Sequence, residues 1–294
     1  MQKPPPVYSS DLVFHPERDS TYVHFENVAG NPFAANPTGF PRVNVWWMAD
    51  SSLLTYWPPE QAIEIFGTAG LQSKFVKTGS TDCYLAWNAD FVIVAFRGTE
   101  PDEWSDVLTD VKIQLVPWTV GEVHRGFKEA LDSIWPTLAA ELAALPGRTV
   151  WFTGHSLGAA LATLAADRFA GTRAVCTFGC PRVGDAVFAT AFNTKFSGRS
   201  LRYVNNHDVV THVPPPFGYR HVEARRLIAA DGTISNQPLS LEHFFAELFG
   251  STTSLLQIME SVAAHRITAT PQFILDHMPK AYAIWTWNDH DANN

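Results

Sequence analysis

One stretch constrains this chain more than any other: TVWFTGHSLGAALATLAADRFA, residues 149–170. It opens with β-branched and aromatic residues and ends in an alanine- and leucine-rich run of helix formers. Between them lies Gly154-His155-Ser156-Leu157-Gly158. A strand that turns directly into a helix around a serine makes strong demands on the backbone. The serine sits at a strained turn, so Gly154 and Gly158 must leave room for close backbone approach. Ala159 and Ala160 let the helix pack tightly behind it. The helix N-terminus favours negative charge developing beside the serine. The bare pattern G-x-S-x-G arises by accident in chains of this length, and the strand–turn–helix setting is what gives it chemical meaning.

That unit sits in a longer series. DFVIVAF (90–96), TVWFTG (149–154), RAVCTFG (173–179) and SLRYVNN (200–206) read as strands, and helical patterns such as FKEALDSIWPTLAAELAAL (127–145) lie between them. Strands alternating with helices predict an α/β fold with a mostly parallel central sheet flanked by helices. Upstream, VNVWWMADSSLLTYWPPEQAIEIF reads as two helices broken at Pro58–Pro59. Residues 1–43 are rich in Pro, Asn and aromatics and are expected to form an irregular arm over the core. Segment 219–234, YRHVEARRLIAADGTI, reads as a pair of strand segments. Residues 241–263 then carry apolar residues at helical spacing in two runs separated by GSTTS, a helical insertion before the end of the chain. No repeat or low-complexity tract divides the 294 residues, so a single domain is expected.

Composition narrows the function. A formal net charge of −8 disfavours broad binding to nucleic acid or anionic membrane. No apolar run reaches the length of a membrane span. The first residues, MQKPPPVYSSDLVFHPERD, have no apolar core and do not read as a secretory signal. A cytoplasmic protein, or a secreted one whose leader is absent from this sequence, is therefore expected. The cysteines Cys83, Cys176 and Cys180 are odd in number and lack further ligands at metal spacing, so they read as buried thiols.

A serine hydroxyl is a weak nucleophile near neutral pH and needs a base together with a group that orients that base. At an elbow of this kind the chain order is serine, acid, histidine. Asp208, directly after SLRYVNN, is the first candidate acid. Asp185, after the third strand, is the second, although it could instead cap a helix that begins there. Downstream histidines are His212, His221, His243, His265, His277 and His290. His277, in a short segment between Pro271 and Pro279, is the best placed. Adjacent Asp276 is a poor partner for it, because neighbouring side chains point apart. His155 reads as a neighbour that shapes the turn, with His124 and Asp110 as structural residues near the site.

Several motifs coincide: FVIVAFRGTE, VHRGF, TGHSLGAALATL, TFGCPRVGD, NNHDVVTHVPP and LDH. Together, and in this order, they resemble the class 3 lipase family, over residues 46 to 285. The resemblance implies an α/β-hydrolase that hydrolyses carboxylic esters, commonly acylglycerols, with no metal and no organic cofactor. It implies Ser156 as nucleophile, Asp208 as acid and His277 as base. It also implies an oxyanion hole from the backbone N–H groups of Leu157 and Thr99. The implied partner is a lipid or other ester substrate met at a lipid–water interface.

The sequence departs from the fungal members in two places. The segment after Thr99 reads EPDEWSDVLTDV, an acidic run around Trp104 where those lipases carry an apolar lid. The helical insertion 241–263 could form an alternative flap, pack on the core or form a dimer face. With the same triad, a phospholipase A1, a feruloyl or short-chain esterase, or an acyltransferase is an alternative. A hydrolase-fold binding module would usually lack a triad member, and here every candidate is present.

Overall fold

The strands are apolar on both sides. Phe91 and Ile93 point to one face of the sheet, and Val92, Val94 and Phe96 to the other. Trp151 and Phe152 divide in the same way. Such strands are stable only when both faces are covered, and they are. The computed structural model describes residues 1–98, 114–222, 224–236 and 270–294. Its strands are β1 (Gln72–Thr78), β2 (Thr81–Trp87), β3 (Phe91–Phe96), β4 (Leu115–Pro117), β5 (Glu122–His124), β6 (Thr149–His155), β7 (Thr172–Phe178), β8 (Ser200–Asn205), β9 (Arg225–Ile228) and β10 (Ile234–Ser235). The helices are α1 (Ser10–Phe14), α2 (Arg42–Leu54), α3 (Pro59–Thr68), α4 (Arg125–Ala143), α5 (Leu157–Arg168), α6 (Ala186–Lys195), α7 (Gln272–Leu275) and α8 (Pro279–Ala292).

The main sheet runs β1-β2-β3-β6-β7-β8-β9-β10. From β3 to β9 neighbouring strands are parallel, and antiparallel pairs close the two ends. The fold is thus the expected mostly parallel α/β sheet, enlarged by a hairpin, β1–β2, that the sequence reading omits. In β1 charged and polar side chains mix with apolar ones, whereas β2 is buried from Thr81 to Ala86. Their pairing comes from the turn at Gly79, which adopts φ +60°, and from β3 beside them.

Helices α2 and α8 cover one face, and α4, α5 and α6 the other. Helix α2 is buried nearly all round, with Trp47 against Phe91 of the sheet and Trp46 against Trp287 of α8. Helix α5 is buried from Gly158 to Ala166, and its alanines allow the close approach that the sequence suggests. Each Phe or Leu fully enclosed in these layers contributes about 1.5–3 kcal/mol.

The N-terminal arm lies on the α2 face and is more ordered than its composition suggests. It contains α1 and a single 3₁₀ turn at Pro16–Arg18. Its anchor is Asp50 of α2, a fully buried carboxylate. Asp50 accepts from Tyr22 Oη (2.5 Å) and from the Phe25 backbone N–H (2.7 Å). Lys280 of α8 forms an ion pair with Asp19 of the arm. The expected insertion at 241–263 lies outside the described residues.

Register decides where chemistry can occur. Phe96 of β3 pairs with Gly154 of β6, and His155 of β6 with Phe178 of β7. The carboxyl ends of the central strands are therefore level, and the loops leaving them share one edge. In open parallel sheets that edge is where ligands bind.

Candidate active site

The strand-to-helix turn is as strained as the sequence predicts. Ser156 adopts φ 60° and ψ −129°, a conformation that costs about 1–3 kcal/mol for a residue with a side chain. Two backbone hydrogen bonds hold it. The Ser156 N–H donates to the Phe178 carbonyl (3.0 Å), and the Ala159 N–H donates to the Ser156 carbonyl (3.0 Å). Both flanking glycines are sterically required. A Cβ on Gly154 would lie 2.3 Å from the Gly158 carbonyl, and one on Gly158 would lie 2.3 Å from the Phe96 carbonyl oxygen. The Ser156 Oγ is buried and has no hydrogen-bond partner among the described residues. The Leu157 N–H is the first amide of α5, at the positive end of the helix dipole.

Asp208 follows β8 and begins a 3₁₀ turn, Val209–His212. Its carboxylate is fully buried, a costly placement unless every oxygen is paired. Oδ1 accepts from the Val210 N–H (2.9 Å), and Oδ2 from the Tyr282 hydroxyl (2.5 Å). The Nδ1–H of His277 donates to both oxygens, at 2.9 and 2.8 Å. With Nδ1–H committed to the carboxylate, Nε2 is the ring nitrogen that can accept a proton. Gly179, at the exit of β7, lines this pair. A Cβ there would stand 2.7 Å from Asp208 Oδ2 and 2.9 Å from His277 Cε1.

His277 itself sits between α7 and α8, where Pro271 and Pro279 start the two short helices. Neighbouring Asp276 faces away, as expected. Its oxygens accept from Gln272 Nε2 (2.8 Å), Asn206 Nδ2 (2.9 Å) and the His207 N–H (3.2 Å). Burial pushes its carboxyl above the usual range despite these bonds. The Asp276 carbonyl accepts from Asn205 Nδ2 (2.8 Å), so the loop after β8 and the segment carrying His277 are joined along their length.

The other candidates lie elsewhere. Asp185 caps α6, accepting from the Phe188 N–H at 2.7 Å. His221 contacts the Thr211 carbonyl, and His290 contacts Asn31. His124 caps α4 through Nδ1 and the Phe127 N–H (3.3 Å). Thr99, Trp104, Asp110, His243 and His265 lie outside the described residues. Cys83, Cys176 and Cys180 are buried free thiols, with Cys180 pushed up to about 12 by burial. Among the described residues no group of His, Cys, Asp and Glu could hold a metal ion. Tyr282 and Tyr56 carry no signal in the sequence. Tyr282 lies five positions after His277 on an otherwise ordinary helix, and nothing in its surroundings marks it. Burial and the Asp208 charge raise its phenol well above the usual range, so it stays a donor.

A parallel sheet with a serine on its central strand-to-helix turn, and a buried Asp–His pair on the same edge, defines an α/β-hydrolase. Residues 93–218 match the family Lipase (class 3). It is 34% identical over 170 residues to a lipase of Rhizomucor miehei, which covers 50% of this chain and 46% of that protein. It is 39% identical over 109 residues to the secreted mono- and diacylglycerol lipase 1 of Fusarium solani, covering 34% of this chain and 32% of that one. It thus spans less than half the length of either. The solved structure of Rhizomucor miehei triacylglyceride lipase superposes with a TM-score of 0.54 at 26% identity, covering 71% of this chain and 89% of that one.

Proposed function

We propose that this protein hydrolyses carboxylic esters, with acylglycerols as its substrates, through an acyl-enzyme on Ser156. The observation that carries this reading is the shared edge. A strained, buried serine at the exit of β6 stands level with a buried Asp208–His277 pair whose proton-accepting nitrogen is Nε2. In the proposed mechanism Ser156 Oγ attacks the ester carbonyl as His277 Nε2 takes its proton. Asp208 fixes the tautomer and stabilises the imidazolium, and the Tyr282 hydroxyl holds that carboxylate in place. The N–H groups of Leu157 and Thr99 receive the oxyanion, each contributing about 3–4 kcal/mol in the transition state. The alcohol leaves with the proton from His277. Water then repeats the sequence and frees the acid.

The names of the relatives, a lipase and a mono- and diacylglycerol lipase, support an acylglycerol substrate met at a lipid–water interface. Among the described residues no helix is long and apolar enough to cross a membrane. The test is turnover of a p-nitrophenyl ester panel, acetyl to palmitoyl, by wild type and Ser156→Ala. Loss of at least about 10³-fold in the variant, with an unchanged melting temperature, is expected. Near-normal activity in Ser156→Ala would remove the nucleophile assignment.

A further inference from the structure

The mechanism leaves one buried group beside the nucleophile unused. β6 delivers His155 immediately before Ser156, and its ring is 2% exposed. The ring lies against His277, with centroids 4.3 Å apart. Its Nε2 is 2.8 Å from the His277 backbone carbonyl, and its Nδ1 is 2.8 Å from the Tyr56 hydroxyl. A carbonyl can only accept, so Nε2 carries the hydrogen. Nδ1 of the neutral ring then presents a lone pair, and the phenol must donate to it. The Tyr56 oxygen also lies against Gly98, just past the end of β3. It presses so closely on that residue that a Cβ on Gly98 would lie 2.1 Å from it.

The hydrogen bonds therefore run in one direction only: Tyr56 O–H to His155, and His155 Nε2–H to the carbonyl of His277. We propose that Tyr56 and His155 are positioning residues for the base, tying the backbone of His277 to the exits of β3 and β6. This rests on His277 being the base. Its ring is then held at two points, at Nδ1 by Asp208 and at its own carbonyl by His155. Together these set the ring plane and the direction of Nε2.

The surroundings keep the relay in this one arrangement. His155 faces Tyr56, His277 and, at 5.7 Å between centroids, Tyr282. Burial, followed by the charge on His277, holds its pKa well below the usual range. A second proton on His155 is thus disfavoured when His277 becomes an imidazolium. Tyr56 faces the Arg97 guanidinium, 5.9 Å from its ring, together with the charges of Asp82 and Glu17. Burial raises its phenol above the usual range, which keeps the donor in place.

Steady-state kinetics of Tyr56→Phe, His155→Leu, His155→Gln and the double variant Tyr56→Phe/His155→Leu test the proposal. A misplacement of about 1 Å lowers rate by about 10²-fold. Tyr56→Phe should lower kcat about tenfold and His155→Leu about 100-fold, each with KM within about twofold of wild type. His155→Gln, which keeps one N–H donor and one oxygen acceptor, should restore kcat to within about tenfold of wild type. The double variant should be no worse than His155→Leu, because the groups act as a unit. Wild-type kcat in Tyr56→Phe, a loss confined to KM, no rescue by Gln, or multiplicative losses in the double variant would overturn the proposal. Should the His155 variants fail to fold, Tyr56→Phe alone decides it. Ser156→Ala measured alongside separates the two readings: activity in that variant refutes the triad itself, whereas an inactive Ser156→Ala with an unaffected Tyr56→Phe refutes only the relay.

Discussion

The elbow around Ser156 and the segment carrying His277 reach the same sheet edge by opposite means. The elbow is built locally. Its strain, its two glycines and its helix all lie within residues 149–168, and the clash distances that define it involve Gly154, Gly158 and the adjacent strand β3. The base is held from a distance. His277 contacts Asp208 across 69 positions, and its carbonyl contacts His155 across 122. Asp276 is held by Asn205 across 71. The helices on either side of His277, α7 and α8, have little amphipathic pattern of their own. A rigid local turn fixes the nucleophile, while a web of long-range hydrogen bonds fixes its partner. Substitutions at the two elbow glycines should therefore damage the fold, and those in the web should damage the rate.

The largest expected effect is on rate. Asp208→Asn should lower kcat by about 10³–10⁴-fold with modest loss of stability, because the amide cannot hold the productive tautomer of His277. A loss below tenfold would break the comparison on the base side. Gly158→Ala should destabilise by about 3 kcal/mol or more in urea unfolding, since its Cβ would meet backbone at 2.3 Å. A stable and active Gly158→Ala would break it on the elbow side.

His24 sharpens the picture on the α8 face, where the arm packs beside Trp57. Burial lowers its pKa to about 3. The folded state thus binds this proton less readily than the unfolded chain. The stability tied to neutral His24 is complete above pH ~6.5 and is lost as pH falls towards 3, by about 3 kcal/mol at pH 4. Asp50 acts in the opposite sense, since burial raises its pKa to about 6. The informative quantity is therefore the difference between His24→Phe and wild type at each pH. That difference should shift in favour of the variant between pH 6.5 and 4, and a constant difference would contradict the assignment. The smallest effect is expected of Tyr282→Phe, which removes one of the donors on Asp208 and should lower kcat about tenfold with KM unchanged.

Legibility from sequence follows the same division. The elbow, the parallel strands and the order of the site residues are written in short continuous runs, so FVIVAF, TVWFTGHSLG and NNHD can be placed without coordinates. Asp185 is legible as a cap for the same reason, because its partner is three residues away. Strand β1 of the hairpin is hidden because it carries Lys and Gln among apolar residues, and pairing with β2 overrides weak local preference. Tyr56, Tyr282 and the ring of His155 are hidden for a different reason. Each acts through partners far along the chain, and no spacing rule connects Tyr56 to His155 or Tyr282 to Asp208. The arm falls between these cases. Its prolines read as irregular structure, and its attachment to Asp50 depends on a carboxylate buried in α2 that the sequence presents as an ordinary helical polar residue.

The most direct test of the central claim is covalent. Wild-type protein treated with a p-nitrophenyl alkylphosphonate should release one equivalent of p-nitrophenol and lose activity in proportion. Peptide mapping by mass spectrometry should place the adduct on Ser156, with labelling slowed strongly in Asp208→Asn. Stoichiometric inactivation with the adduct on another residue, or none on Ser156 while ester turnover persists, would contradict the account.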